Sequence, residues 1–278
     1  MDGILVSSLG SVERSWSNWA KSRGIDPALA CEIAHGRRAI DTIASDPIAA
    51  ARENEVTLLS VPIYATLDLM EQLSGVLVCG QLVTDVGSTK GQITEAAGRL
   101  FNTPERAAFL PGHPMAGKER GGAELGDAAL FKGAVWLFTD DPTWVRSATG
   151  SSLAASWRSW VLAMGARTID IDAARHDEMV AWVSHLPQFA ATALSALLAD
   201  EVGEAPELRD VGGRALREMT RLGASPYSMW RDIAHTNTAA IERALFALEQ
   251  RLQLIRENLR TPELREEFER ANEFRKDS

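Results

Sequence analysis

Three stretches of this chain put histidines, carboxylates and basic side chains beside glycines, the arrangement that lets polar groups approach a ligand closely. The first is Thr84-Asp85-Val86-Gly87-Ser88-Thr89-Lys90-Gly91, and the second runs from Gly112-His113-Pro114-Met115-Ala116-Gly117 through Lys118-Glu119-Arg120 to Gly121-Gly122. His113, held between glycine and proline, suits general-base work because an imidazole titrates at about pH 6.5, near the working pH. Residue type alone leaves it open to a structural role as well. The third stretch is Arg175-His176-Asp177 with Ser184-His185-Leu186-Pro187-Gln188. On one helix His176 and His185 would lie on roughly opposite faces, so the pair cannot share a metal, and no zinc site is expected. Further on, Glu218 and Arg221 are spaced as neighbours on one helical face and read as a surface ion pair; Trp230-Arg231-Asp232 follows.

The elements that must position these groups fall into two kinds. From Glu55 to about Asp172, short apolar runs alternate with amphipathic stretches, the pattern of a mostly parallel sheet with crossover helices. Strands are expected at Val56–Pro62, Leu82–Asp85, Phe109–Gly112, Ala134–Thr139 and Ala166–Ile171, with helices at Ala65–Leu73 and Ser156–Met164. The first and second polar stretches then begin where strands give way to loops, the edge at which open α/β sheets bind ligands. Beyond Asp172 only helical patterns remain. One helix is expected over Ala174–Asp200 with a kink at Pro187. Another starts with Ser225 as N-cap and Pro226 in the first helical position. Ile241, Leu245, Leu248, Leu252, Ile255 and Leu259 form a short heptad stripe, facing either a core or a second subunit. The boundary is expected near Ala173, dividing residues 1–173 from 174–278.

The 278 residues suffice for two cores, with 45% hydrophobic residues. A formal charge of −9, from 29 Lys+Arg against 38 Asp+Glu, disfavours nucleic acid and anionic membrane surfaces as partners. Two cysteines, Cys31 and Cys79, make neither a disulfide scaffold nor a zinc site and fit a reducing cytoplasm. No basic leader and no apolar run long enough to span a bilayer is present, so a soluble chain is expected.

In this order the polar segments resemble the prephenate and arogenate dehydrogenases of tyrosine biosynthesis. The likeness lies in Asp85-Val86-Gly87-Ser88-Thr89-Lys90, Gly112-His113-Pro114-Met115-Ala116-Gly117-Lys118-Glu119, His176-Asp177, Ser184-His185-Leu186-Pro187, and Thr220-Arg221 with Met229-Trp230-Arg231-Asp232. It implies a Rossmann-like, mostly parallel sheet domain followed by an all-α dimerisation domain, hence a homodimer, with NAD or NADP as cofactor. It also implies that His113 accepts the proton of the substrate's ring hydroxyl while hydride leaves the same carbon, after which the ring carboxylate departs as carbon dioxide. Ser88 would hold the same hydroxyl, and the planar fork of Arg221 would hold a substrate carboxylate. His185 and Trp230 would shape the substrate pocket. Glu119 and Glu218 would gate the site or orient its Arg and His groups. His176-Asp177 would be structural at the domain junction, and Arg231-Asp232 a helix-start ion pair.

Two departures from the family pattern bear on function. Gln188 stands where many members carry a second histidine, which leaves prephenate and arogenate as alternative substrates. The cofactor contacts implied by the resemblance are Ser8, Gly10, Ser60, Pro62 and Asp26. Yet the usual G-x-G-x-x-G turn reads Ser8-Leu9-Gly10-Ser11-Val12-Glu13 here, keeping only Gly10 and setting Glu13 near the expected phosphates. A non-catalytic homologue that has lost dinucleotide binding is the alternative this turn motivates.

Overall fold

The structure, a computed structural model, describes residues 4–7, 27–117, 123–203, 205 and 207–276. The chain forms two compact units, Met1–Val180 with Ala224–Asn237, and Ala181–Gly223 with Thr238–Ser278.

In the first unit, strands β1 (Ile4–Ser7), β2 (Val56–Leu59), β3 (Leu82–Asp85) and β4 (Ala108–Leu110) lie side by side in that order, all parallel. All four residues of β3 are buried. A continuous run of this kind marks a parallel strand covered on both faces. The register aligns Ser7, Leu59 and Asp85, so these three strands finish together at one edge. Helices α1 (Pro27–Gly36) and α2 (Pro47–Arg52) precede β2. Helix α3 (Ile63–Ser74) links β2 to β3, burying Ile63, Thr66, Leu69, Met70 and Leu73 at helical spacing. Helix α4 (Gly91–Leu100) links β3 to β4 and buries Ile93, Ala97 and Leu100.

A second sheet holds β5 (Gly112–Pro114), β6 (Val135–Phe138) and β7 (Arg167–Asp170). β6 and β7 are parallel, but β5 runs antiparallel to β6 with His113 opposite Leu137. His113 was expected on a loop; it lies within a strand because the β4 chain passes Pro111 and pairs at once with β6. Helix α5 (Ala148–Ala163) begins earlier than its apolar pattern suggested, since the Ser147 hydroxyl accepts the Gly150 N–H at 3.0 Å and caps it. Trp157 from α5 meets Trp136 edge-on at 6.0 Å, in a core shared with Val56, Leu82, Leu110 and Phe138. Helix α6 (Ala173–Val180) also belongs to this unit.

The helix expected over Ala174–Asp200 is interrupted. After α6 the backbone widens into a π turn at Ala181–His185 and resumes as α7 (Leu186–Val202). Pro187 explains the widening, because its ring crowds the preceding turn and it supplies no N–H. The second unit continues with α8 (Leu208–Val211) and α9 (Arg214–Thr220), then a 3-10 turn at Arg221–Ala224. Helix α10 (Tyr227–Thr236) packs with the first unit. Its N-cap is Pro226 rather than Ser225, because Pro226 is extended at φ −73° and ψ 133°. Helices α11 (Thr238–Glu257) and α12 (Glu263–Lys276) complete the second unit. No helix among the described residues is long and apolar enough to cross a membrane.

Candidate active site

Two buried carboxylates organise the polar segments of the first unit. Asp85 closes β3, and both it and Lys90 have fully buried side chains that form an ion pair. Oδ2 of Asp85 also accepts the Gly87 N–H at 2.7 Å, and Oδ1 accepts the Gly112 N–H at 3.2 Å. Gly87 immediately precedes Ser88, and Gly112 immediately precedes His113. One carboxylate therefore holds the two backbone segments that carry the proposed reacting groups. Burial drives the Lys90 ammonium below its ordinary pKa, outweighing the upward pull of Asp85 and Asp177. Both glycines are required by space. A Cβ on Gly87 would lie 2.7 Å from Ile93 Cδ1 and 2.9 Å from Asp85 Oδ2, and one on Gly112 would lie 2.7 Å from Trp136 Nε1.

The second carboxylate is Asp177 of α6. Its Oδ1 accepts the Lys90 N–H at 2.7 Å and its Oδ2 the Gly91 N–H at 2.8 Å. Lys90 is the N-cap residue of α4 and supplies no side-chain cap. Asp177 does that work instead, placing negative charge where helical N–H groups lack partners. Asn237 donates to the Asp177 carbonyl at 2.7 Å, and the Thr89 and Thr236 hydroxyls bond at 2.7 Å, so the end of α10 is tied to the same loop. Asp177 Oδ1 also meets His176 Nδ1 at 2.8 Å, and His176 Nε2 meets His113 Nδ1 at 2.9 Å. Burial lowers the His176 pKa and the nearby Lys90 charge adds to the effect; the hydrogen bond and charge of Asp177, with Asp85, oppose it.

Ser88 is half-buried on the loop between Asp85 and Lys90. Ser60 and Pro62 follow β2, at the sheet edge where β3 also ends, and Pro62 is the N-cap of α3 without a side-chain bond. There the Tyr64 N–H reaches Asp232 Oδ2 at 3.4 Å, while Asp232 Oδ1 is held by Arg231 Nε at 2.8 Å and Nη2 at 2.6 Å. Arg231-Asp232 is thus no helix-start pair: it lies midway along α10, and its carboxylate serves the start of a different helix. Trp230, half-buried, shares α10. In the second unit His185 is buried at the end of the π turn. The Gln188 amide donates to the Leu222 carbonyl at 2.7 Å and to the Thr192 hydroxyl at 3.2 Å, fixing the turn that Arg221 opens. Glu218 pairs with Arg214 at 2.6 Å on the surface. Ser8, Gly10, Glu13, Asp26 and Glu119 lie outside the described residues.

Sequence reasoning missed the roles of Asp85 and Lys90 and gave His176-Asp177 no contact with His113. An acidic strand end followed five residues later by lysine was the available signal for the first pair. Nothing local signals the second. The edge formed by Leu59 and Asp85 fits a dinucleotide chemically. Ser60, Pro62 and Ser88 are partly exposed beside it, and Asp85 is sealed and neutralised by Lys90, so it sets no free charge against phosphates.

Residues 18–167 match the nucleotide-binding domain of prephenate dehydrogenase, and residues 172–273 match the prephenate dehydrogenase dimerization domain. The chain is 30% identical over 245 residues to a prephenate dehydrogenase of Lactococcus lactis subsp. cremoris, covering 85% of this chain and 65% of that protein. It is 26% identical over 206 residues to a prephenate dehydrogenase of Bacillus subtilis, covering 73% and 54% respectively. The chain therefore spans between about half and two thirds of the length of these curated relatives. The crystal structure of Synechocystis arogenate dehydrogenase superposes with a TM-score of 0.72 at 26% identity, over 99% of each chain.

Proposed function

Because the chain belongs to the prephenate dehydrogenase family, we propose that it catalyses NAD-dependent oxidative decarboxylation of prephenate to 4-hydroxyphenylpyruvate. The observation that carries this reading is the shared anchoring of Ser88 and His113 to one buried carboxylate, with His113 backed by a second histidine. Ser60, Pro62 and Ser88 at the sheet edge would hold NAD, which would supply the hydride acceptor. His113 takes the proton of the ring hydroxyl as the hydride leaves the carbon that bears it. The carbon–carboxylate bond then breaks, its electrons aromatise the ring, carbon dioxide is released, and the ring oxygen takes back the proton held by His113. Aromatisation drives the reaction, so the protein's task is orientation and a well-placed base. Ser88 holds the reacting hydroxyl. Arg221 holds a substrate carboxylate, and Gln188 steadies the turn on which Arg221 sits. His185, Trp230 and Glu119 line or gate the pocket, and Ser8, Gly10 and Asp26 complete the cofactor site.

The test is reduction of NAD or NADP by the purified protein with prephenate or arogenate, followed by the absorbance of the reduced nicotinamide. Turnover with prephenate and NAD is expected, and no reduction with any pair would refute the reading. Arogenate as preferred substrate is the alternative, since Gln188 replaces the histidine that many relatives carry. If calorimetry detects no dinucleotide binding, the homologue without cofactor takes its place. His113→Asn should lower kcat by about 10²–10⁴-fold with KM nearly unchanged.

We also propose a homodimer built on the second unit. Of the heptad stripe, Ile241 on α11 is buried within the chain, whereas Leu252 on α11 is 57% exposed and Leu259, in the turn just past the end of the helix, 62%. A second copy covers this end of the stripe. Leu252→Glu combined with Leu259→Glu should yield monomers in sedimentation. Both cysteines are free thiols, in keeping with a cytoplasmic location.

A further inference from the structure

We infer that His176 is a positioning residue which, held by Asp177, fixes His113 in the tautomer that carries its proton on Nδ1 and its lone pair on Nε2. The inference deepens the proposed function, since it rests on His113 acting as the base.

The argument follows donors and acceptors along the chain of contacts. Both Asp177 oxygens already accept backbone N–H groups, Oδ1 from Lys90 and Oδ2 from Gly91. A carboxylate has no proton to give, so at the 2.8 Å contact with Oδ1 it is His176 Nδ1 that donates. In the neutral ring the remaining nitrogen, Nε2, can only accept. Neutrality is enforced by the surroundings: His176 is fully buried, and the Lys90 ammonium, paired to Asp85, faces it from the loop after β3. Burial and Lys90 together outweigh the two carboxylates, Asp177 and Asp85, so the ring titrates below its ordinary value. At the 2.9 Å contact between the rings, the proton must then come from His113 Nδ1. The lone pair of His113 is left on Nε2, where a base needs it. Without His176 the two tautomers of His113 would lie closer in energy, and the population able to accept a proton at Nε2 would fall.

Asp177 couples this choice to the loop that carries Ser88. The same carboxylate sets the His176 ring and the backbone of Lys90 and Gly91. Base and hydroxyl-binding loop are therefore referenced to one group.

The experiment is nitrogen NMR on the full-length protein labelled with ¹⁵N-histidine, without substrate or cofactor. The chain has five histidines, so His113 can be assigned by comparison with His113→Asn. The expected wild-type pattern is a protonated Nδ1 and an unprotonated Nε2. In His176→Leu the pattern should shift toward protonated Nε2, and kcat should fall at least about tenfold with KM little changed. His176→Gln, whose amide oxygen can accept from His113, should restore part of both. A wild-type His113 protonated at Nε2, or a tautomer unaltered in folded His176→Leu, would overturn the inference. Should the leucine variant fail to fold, the wild-type spectrum alone decides. Absence of turnover with every substrate and cofactor, beside the expected spectrum, would remove the dehydrogenase reading and leave the tautomer assignment standing.

Discussion

Asp85→Asn removes the negative charge beside a fully buried lysine while keeping shape and one acceptor oxygen. Two routes are then open to Lys90. It can stay charged without its ion-pair partner, with only the weaker pull of Asp177 left, which costs about 3–5 kcal/mol, or it can release its proton, which at pH 7 costs roughly 4–5 kcal/mol from an ordinary lysine pKa. The routes converge, so the variant should lose about 3–5 kcal/mol, a large part of the 5–15 kcal/mol typical of a folded protein. The loss should depend on pH in a defined direction. The folded-state pKa of Lys90 is already depressed by burial, and the variant depresses it further. Between that value and about 10.4 the unfolded chain binds more protons than the folded one, so the variant regains stability as pH rises through this window. Urea unfolding followed by circular dichroism, at about pH 7 and about pH 9, measures both effects. Adding Lys90→Met should recover most of the loss, because an apolar replacement leaves no buried charge. The reasoning fails if Asp85→Asn costs under about 1 kcal/mol at pH 7, or if the double variant is no more stable than the single.

Other outcomes follow from the same contacts. Gly87→Ala forces a methyl group against Ile93 and Asp85 and should cost about 1–3 kcal/mol, read as a lower Tm. His176 has a depressed folded pKa, so its contribution is present above about pH 6.5 and is lost as pH falls below that value. In His176→Leu the decline of the urea midpoint between about pH 7 and pH 5 should be shallower than in the wild type. Asp46 caps α2 by accepting the Ile48 and Ala49 N–H groups at 2.9 and 3.1 Å, and Asp46→Ala should cost about 0.5–2 kcal/mol by the same unfolding assay.

What the sequence revealed and what it concealed divide along a physical line. Strands such as Leu82–Asp85 and Ala134–Thr139 were legible because apolar runs bounded by glycine and polar residues report burial locally. His113 and Ser88 stood out because glycine-rich strand ends are where backbone turns toward ligands. The companion of His113 was not legible, since His176 lies 63 residues away and meets it only through tertiary packing. Lys90 misleads for a related reason: a loop lysine is ordinarily solvated, and only the fold reveals that this one is sealed against Asp85. The antiparallel turn of β5 was hidden as well, because three residues are too few to carry a period. Arg231-Asp232 read as a local pair, whereas half of its carboxylate serves the first turn of a helix through Tyr64, 168 residues earlier.

The borrowed helix starts also bear on how the polypeptide can be assembled. Helix α3 takes a carboxylate from Asp232, and α4 takes both of its capping bonds from Asp177, 86 and 87 residues downstream. A fragment ending at residue 167, where the match to the nucleotide-binding domain stops, contains both helices and neither cap. The stretch that matches the nucleotide-binding domain and the stretch that completes its helix starts are thus different lengths of chain. During synthesis the loop after β3 stays without its bond to Thr236, and Asp177 without its bond to Asn237, until those residues have left the ribosome, so completing that edge of the sheet is a late event.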